Sequence, residues 1–250
     1  MKKKLSITID EEILKYIDSL IDNKNIKNRS QAIENLVRKS FEEEKKAIIL
    51  AGGKLSSLKY KGIYKPLVKI NGEEIIRHTV KTLIKYGVNE IIILTPIAKD
   101  FIPILSDIQN IKISYIDDKA AGTAGAIKIC EKFINSDFFV VSGDVYFNFD
   151  LNKMFLFHKS SGAIATIAVT TTKLNESKDQ IEIEGTKVIK FDYASRERTF
   201  YINAGVYVMS QEIFKFLSKK GSLEKDVLPK LAKEGMISAY NFSGKWIHIQ

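Results

Sequence analysis

The chain opens on alternation. In KLSITID, Leu5, Ile7 and Ile9 fall on one side and Lys4, Ser6 and Thr8 on the other. A period of two predicts a half-buried strand. Asp10 then stands at a helix N-cap, and EEILKYIDSLI carries Ile13, Leu14, Ile17, Leu20 and Ile21 on one stripe. The polar turn DNKNIKN closes that helix. Ser30 can cap a second, QAIENLVRKSFEEE, striped by Ala32, Ile33, Leu36, Val37 and Phe41. Glu42 to Lys46 reads as a fraying helix end running into a short hinge. One strand and two helices bury too little surface to stand alone, and the strand's edges need a partner. An identical strand from a second chain would meet both needs.

From Ala47 onward, strands alternate with helices. AIILA, EIIILT, KISYI, FFVVS, AIATIAVTT, QIEIE, VIKFD, YINAGVYVM, ISAYNF and WIHI read as strands. EEIIRHTVKTLIKYG, AGAIKICEKFI, LNKMFLFHKS, QEIFKFLSKK and EKDVLPKLAKEG read as helices. This order predicts an α/β domain with a doubly wound, mostly parallel sheet over 46–250, preceded by a small domain over 1–45. Ligands of such sheets bind at the carboxyl ends of the strands. That singles out the loops Gly52–Pro66, Lys119–Thr123 and Gly143–Asp144.

Charge changes the picture a little. With 39 Lys and Arg against 30 Asp and Glu, the net charge is +9. Residues 1–46 hold 11 against 9, so most of the excess lies in the larger part. A basic balance suits polyanions, meaning nucleic acid or phosphorylated small molecules, although a lysine-rich solubilising surface accounts for most of it. No apolar run is long enough to cross a bilayer, and MKKKLS lacks the apolar stretch of a signal peptide. The lone Cys130 forms no internal disulfide. These features lead us to expect a cytoplasmic protein with no membrane partner, and a buried, inert thiol. His78 and His158 lie on helical stretches without other ligating residues at metal spacing, so they read as surface or boundary histidines.

Residues 2–45 resemble the ribbon-helix-helix repressors, through the alternating strand, the Asp-Glu-Glu helix start, and Asn28-Arg29-Ser30 followed by Ala32-Ile33. The resemblance implies a homodimer joined through an N-terminal ribbon, and double-stranded DNA as partner. A two-stranded ribbon fits the major groove, so Lys4, Ser6 and Thr8 would meet base edges, with Lys2 or Lys3 on phosphates. The second helix's N-terminus, near Arg29 and Ser30, would take a backbone phosphate. A dimerisation unit without a DNA role is the alternative.

The chain from Ala47 onward resembles the sugar-phosphate nucleotidyltransferases, such as mannose-1-phosphate guanylyltransferase-like and glucose-1-phosphate thymidylyltransferase-like enzymes. Six pieces come in the family's order: Leu50-Ala51-Gly52-Gly53, Lys65-Pro66-Leu67-Val68, Gly122-Thr123-Ala124-Gly125-Ala126, Ser142-Gly143-Asp144-Val145, Asn203-Ala204-Gly205-Val206-Tyr207, and Glu224-Lys225-Asp226-Val227-Leu228-Pro229. Each alone could be an ordinary strand-to-turn joint or helix entry. The resemblance implies attack of a sugar-1-phosphate oxygen on the α-phosphorus of a nucleoside triphosphate, with pyrophosphate leaving. It places Ala51, Gly52, Gly53, Gly122, Thr123 and Ala124 against nucleotide, Lys65 on phosphate oxygens, and Asp144 on Mg²⁺. Asn203, Gly205 and Glu224 fall on the sugar side.

Three positions depart from the family's pattern. Leu55-Ser56-Ser57 stands where the glycine loop usually continues to an arginine. Tyr193-Ala194-Ser195 replaces Glu-Lys-Pro, with Arg196 or Arg198 in the next turn as the candidate substitute. Trp246-Ile247-His248 replaces Trp-x-Asp, so a histidine holds the second metal aspartate's place. All three usually handle phosphate or metal. The losses favour a DNA-binding regulator whose second domain binds a nucleotide, nucleotide sugar or sugar phosphate as sensor, with catalysis weakened or lost. The alternatives are a working, divergent nucleotidyltransferase and a fusion that only oligomerises. Binding requires an open hollow beside Thr123, free of Leu55 and Tyr64.

Overall fold

A computed structural model describes residues 6–22, 24–41, 44–119, 121–171, 178–184, 186–195 and 201–249. The chain divides into two units, Met1–Glu43 and Glu44–Gln250.

In the first unit, α1 (Glu11–Ser19) starts where expected. The Asp10 carboxylate accepts the Glu12 N–H at 2.9 Å, and Ile17 is buried. The second helix, α2 (Arg29–Phe41), starts ahead of the expected Ser30 cap. Asn28 does the capping, its side-chain oxygen accepting the Gln31 N–H at 3.0 Å. Arg29 does not offer its charge outward to a phosphate. Its guanidinium donates to both oxygens of Asp18, at 2.6 and 2.8 Å, and holds that carboxyl below the usual range. Residues 6–10 form no strand, since a lone extended segment has no ladder partner within one chain. Ser6 and Thr8 are exposed there, and Lys4 lies outside the described residues.

The second unit is built on β1 (Lys45–Leu50). Two short hairpins follow, β2 (Lys59–Tyr60) with β3 (Ile63–Tyr64) and β4 (Lys69–Ile70) with β5 (Glu73–Glu74). Next come α3 (Ile75–Lys85), β6 (Val88–Leu94), α4 (Ala98–Leu105), β7 (Lys112–Ile116), α5 (Gly122–Ile129), β8 (Phe138–Ser142), β9 (Val145–Asn148) and α6 (Leu151–Ser161). The remainder is β10 (Ala165–Thr170), β11 (Lys178–Glu184), β12 (Lys187–Ser195), β13 (Ile202–Met209), α7 (Leu228–Lys233), β14 (Ile237–Asn241) and β15 (Lys245–His248).

Nine strands form one sheet in the order β10-β14-β12-β11-β13-β8-β1-β6-β7, with β10 also pairing to β13. The central strands β8, β1, β6 and β7 run parallel, and β13 joins β8 antiparallel. Both faces are covered. Ala47, Ile49, Ile91, Ile93 and Val141 pack in one core with α3, α4 and α6, and Ile48, Ile92 and Val140 in the other with α5 and α7. That two-sided burial is why these strands read as unbroken apolar runs. Each fully buried isoleucine contributes about 1.5–3 kcal/mol.

The hinge expected through Lys45 and Lys46 is instead the start of β1. Lys45 is buried, its Nζ donating to Asn152 Oδ1 at 2.7 Å, and Lys46 pairs with Glu90 at 3.1 Å. Three expected helices are shorter than their patterns. AGAIKICEKFI ends as α-helix at Ile129, with a separate 3₁₀ turn at Glu131–Phe133. QEIFKFLSKK yields a 3₁₀ turn at Gln211–Lys215. EKDVLPKLAKEG splits into a π turn at Leu223–Val227 and α7, because Pro229 lacks an N–H and fits only a first helical turn. Cys130 is buried as expected, and burial pushes its thiol up to about 12.

His158 is not a boundary residue. It is buried at the foot of α6, its Nδ1 2.8 Å from Thr166 Oγ1 on β10 and its Nε2 3.8 Å from Asp137. Burial lowers its pKa from 6.5, against the opposing pull of the Asp137 carboxylate, and Lys159 lowers it further. The unfolded ring therefore takes up protons first as pH falls. The neutral ring's contribution to stability is complete above 6.5 and is lost as pH drops toward the lowered folded value. His158→Gln should flatten the decline in melting temperature as pH falls below 6.5. An unchanged slope in the variant would exclude His158 as its source.

Candidate active site

The strand ends build the site. The rungs of the parallel sheet continue past the strands, with Ala51 N–H donating to Leu94 O at 2.9 Å and Gly143 N–H donating to Leu50 O at 2.8 Å. The Ala51-Gly52-Gly53 and Gly143-Asp144 loops are thereby held side by side. The Gly52 Cα faces the Asp118 carboxylate, and a Cβ there would lie 2.5 Å from Asp118 Oδ2. A larger residue would have to push the Asp118 carboxylate aside.

Two adjoining cavities open on these loops. The first, about 210 Å³, is lined by Gly52, Gly53, Ser57, Lys65, Asp118 and Gly143, among others. The second, about 550 Å³, is lined by Asn203, Gly205, Glu224, Lys225, Trp246 and His248, among others. Gly122, Thr123, Ser142 and Asp144 belong to both walls. Two ligands could therefore meet over Asp144. Leu55 is exposed and lines neither cavity. Tyr64 packs beneath Lys59 and into the core, so neither plugs the hollow beside Thr123.

Asp144 is the electrostatic centre. Its Oδ2 lies 3.9 Å from Lys65 Nζ and 3.4 Å from His248 Nε2. His248 arrives from 104 residues away because β15 pairs antiparallel with β9. Since β9 begins one residue after Asp144, His248 stands opposite Val145, and the Ile249 N–H donates to Asp144 O at 3.0 Å. The Trp246 indole anchors β15 by donating to Ala204 O at 2.8 Å.

Thr123 and Glu224 form a latch. The threonine hydroxyl donates to Glu224 Oε2 at 2.6 Å and accepts the Leu223 N–H at 2.7 Å, and Ser222 donates to the same carboxylate at 2.9 Å. This ties the start of α5 to the π turn. Asn203 is similarly engaged, accepting the Gly205 N–H at 2.9 Å and donating to the Tyr207 hydroxyl at 2.6 Å.

Of the residues singled out in the sequence, Ala51, Gly52, Gly53, Lys65, Gly122, Thr123, Asp144, Asn203, Gly205 and Glu224 all line this double cleft. Ala124 does not. It is fully buried, and its N–H is used on Gly221 O at 3.0 Å. Arg196 and Arg198 lie outside the described residues, as do the side chains of Tyr193-Ala194-Ser195. Asp118 lines the cleft without having been singled out, Ser142 and Lys225 line it from motifs that gave them no role, and His248, read as a loss, stands at its centre. Asp118 sits one residue before the loop segment marked from Lys119, and only its burial against Gly52 distinguishes it from a solvated turn aspartate.

The nucleotidyl transferase family pattern matches residues 46–249, and the chain belongs to that family. Within it, the chain is 31% identical over 220 residues to the mannose-1-phosphate guanylyltransferase catalytic subunit beta of Xenopus tropicalis, covering 82% of this chain and 61% of the relative. It is 28% identical to the mannose-1-phosphate guanyltransferase of Aspergillus oryzae, covering 82% and 60%. The chain thus spans about 60% of the length of these curated relatives. Among solved structures, HddC from Yersinia pseudotuberculosis complexed with GMP-PN superposes with a TM-score of 0.68 at 28% identity, covering 82% of this chain and 93% of that one.

These relatives overturn the DNA-binding regulator reading. They are sugar-phosphate nucleotidyltransferases, and nothing in them points to DNA. Of the expected DNA contacts, Arg29 is spent on Asp18, and Ser6 and Thr8 stand on no strand. Nucleotidyltransferases of this family typically use a divalent metal, and the matched HddC structure is a complex with GMP-PN. Among the described residues, no helix is long and apolar enough to cross a membrane.

Proposed function

We propose that the chain is a working sugar-phosphate nucleotidyltransferase that takes GTP and a hexose-1-phosphate of the mannose-1-phosphate type. An oxygen of the sugar phosphate attacks the α-phosphorus, the bond to the bridging oxygen of the β-phosphate breaks, and pyrophosphate leaves carrying that electron pair. The observation that supports this reading is the double cleft with Asp144 on its shared wall. The named substrates of the curated relatives support the choice of base and sugar.

In this reading the nucleotide lies in the first cavity, with the Gly52-Gly53 backbone close against it and Lys65 countering phosphate charge. The sugar phosphate enters the second, beside Asn203, Gly205 and Glu224. Catalysis of such a displacement is mostly positioning and charge neutralisation. A divalent cation, when bound, supplies the neutralisation that one lysine cannot. The Asp144 carboxylate, partly exposed on the shared wall, suits such an ion. Among the described residues, Lys65 is the one cationic side chain lining the first cavity, which predicts slow turnover.

The test is pyrophosphate release with each of the common nucleoside triphosphates, a panel of sugar-1-phosphates and a divalent cation. Release that is greatest with GTP and a mannose-type acceptor is expected. Silence across the panel, with or without a nucleotide-induced rise in melting temperature, sinks the proposal.

A further inference from the structure

We propose that Asp144 and His248 together form a mixed oxygen and nitrogen seat for a divalent cation, and that the histidine turns the seat's preference from Mg²⁺ toward Co²⁺ and similar transition ions. The inference deepens the transfer reading and rests on it for the presence of phosphate in the cleft. Its own ground is the pairing of Asp144 Oδ2 with His248 Nε2 at 3.4 Å.

The geometry suits a shared ion. Donors about 2.1 Å from one cation are about 3.0 Å apart across a right angle and about 3.4 Å apart across a tetrahedral one. The observed separation needs no backbone movement. Both side chains are about 30% exposed, on the wall of the cavity assigned to the sugar phosphate. The cause is the β9–β15 pairing and the Trp246 anchor, so the imidazole is held in place rather than free to swing in.

The chemistry then fixes the preference. Mg²⁺ is a hard ion that takes oxygen ligands in near-octahedral geometry and gives up water reluctantly. A neutral imidazole nitrogen binds cobalt, nickel and zinc far better, with affinity rising from manganese to copper. Among the described residues, no third histidine, cysteine or carboxylate converges here. Two protein ligands leave most of the coordination shell to water and phosphate oxygens, which is how a cation can bridge a protein and a triphosphate. Lys65, 3.9 Å from the same Asp144 oxygen, stands on the wall of the nucleotide cavity and leaves the second cavity's side of the carboxylate to the ion.

The experiment titrates the full chain with Co²⁺ and with Mg²⁺, in the presence of GTP and without any sugar phosphate, so that nothing turns over. Proton NMR of the Co²⁺ complex should show a strongly shifted, exchangeable imidazole N–H, and Co²⁺ should bind at least about tenfold tighter than Mg²⁺. His248→Ala should remove the signal and weaken Co²⁺ about tenfold or more. His248→Asp should also remove it and reverse the preference toward Mg²⁺. A shifted imidazole signal that survives in both variants, no such signal in the parent protein, or a Co²⁺ to Mg²⁺ ratio unchanged by both substitutions would overturn the seat. The chain has only three histidines, and the other two sit on Phe147 O and Thr166, so the assignment is direct. An imidazole signal without pyrophosphate release on the panel would sink the transfer reading and leave the seat standing. Release without the signal would sink the seat alone.

Discussion

Replacing Asp144 with alanine is expected to slow pyrophosphate release by about 10²–10³-fold, and to leave GTP binding in metal-free buffer within a few-fold of the parent. The reason is position. Asp144 is the one carboxylate on the wall common to both cavities, and it touches both Lys65 and His248. Removing it leaves the Lys65 ammonium without its neighbouring anion, and takes away the oxygen donor of the metal seat. Asp144→Asn keeps the shape and loses the charge, so it should fall nearly as far. If instead it retains parental rates, the carboxylate acts only as a spacer. A full-rate Asp144→Ala variant would place the chemistry elsewhere in the cleft and falsify the roles given above. Circular dichroism melts keep the result interpretable, since Asp144 is partly exposed and carries none of the core.

The second large effect is expected from Gly122→Ala. Gly122 has φ +78°, and a Cβ there would lie 2.3 Å from the Gly221 carbonyl oxygen, a backbone atom that cannot rotate aside. The left-handed conformation alone costs about 1–2 kcal/mol for a residue with a Cβ. The clash adds to it by pushing α5 off the turn at Gly221, whose carbonyl also accepts the Ala124 N–H. A total of about 2–4 kcal/mol follows, or a fall in melting temperature of roughly 5–15 °C for a domain of this size. Nucleotide binding should fall with it, because the Thr123–Glu224 latch spans the same joint. Gly162→Ala is the control. Gly162 has φ +65° at the end of α6 but open space where the Cβ would go, so it should show the conformational cost only. Equal melting temperatures for the two variants would remove the clash from the argument.

Much of this was written locally. The unbroken apolar runs of β1, β6 and β8 and the six ordered motifs place the strands, the loops and ten of the cleft residues. A strand buried on both faces has to be apolar throughout, and a loop that brings backbone to phosphate has to be small. The motif Gly122-Thr123-Ala124 shows where such legibility ends. Gly122 and Thr123 line the cleft, but the helix turns Ala124 inward. Nothing in so short a string tells which N–H will donate to the carbonyl of residue 221.

The sequence by itself determined the alternating strand and helix order, the family and the loops that line the cleft, because each rests on a period or a short run of small and polar residues. Only the tertiary structure decided that Lys45 begins a strand, that Arg29 answers Asp18 rather than a phosphate, and that His248 stands against Asp144. The physical reason is common to all three. A charged side chain takes its meaning from the opposite or ligating group beside it, and strand pairing sets that neighbour across 104 residues for His248 and Asp144.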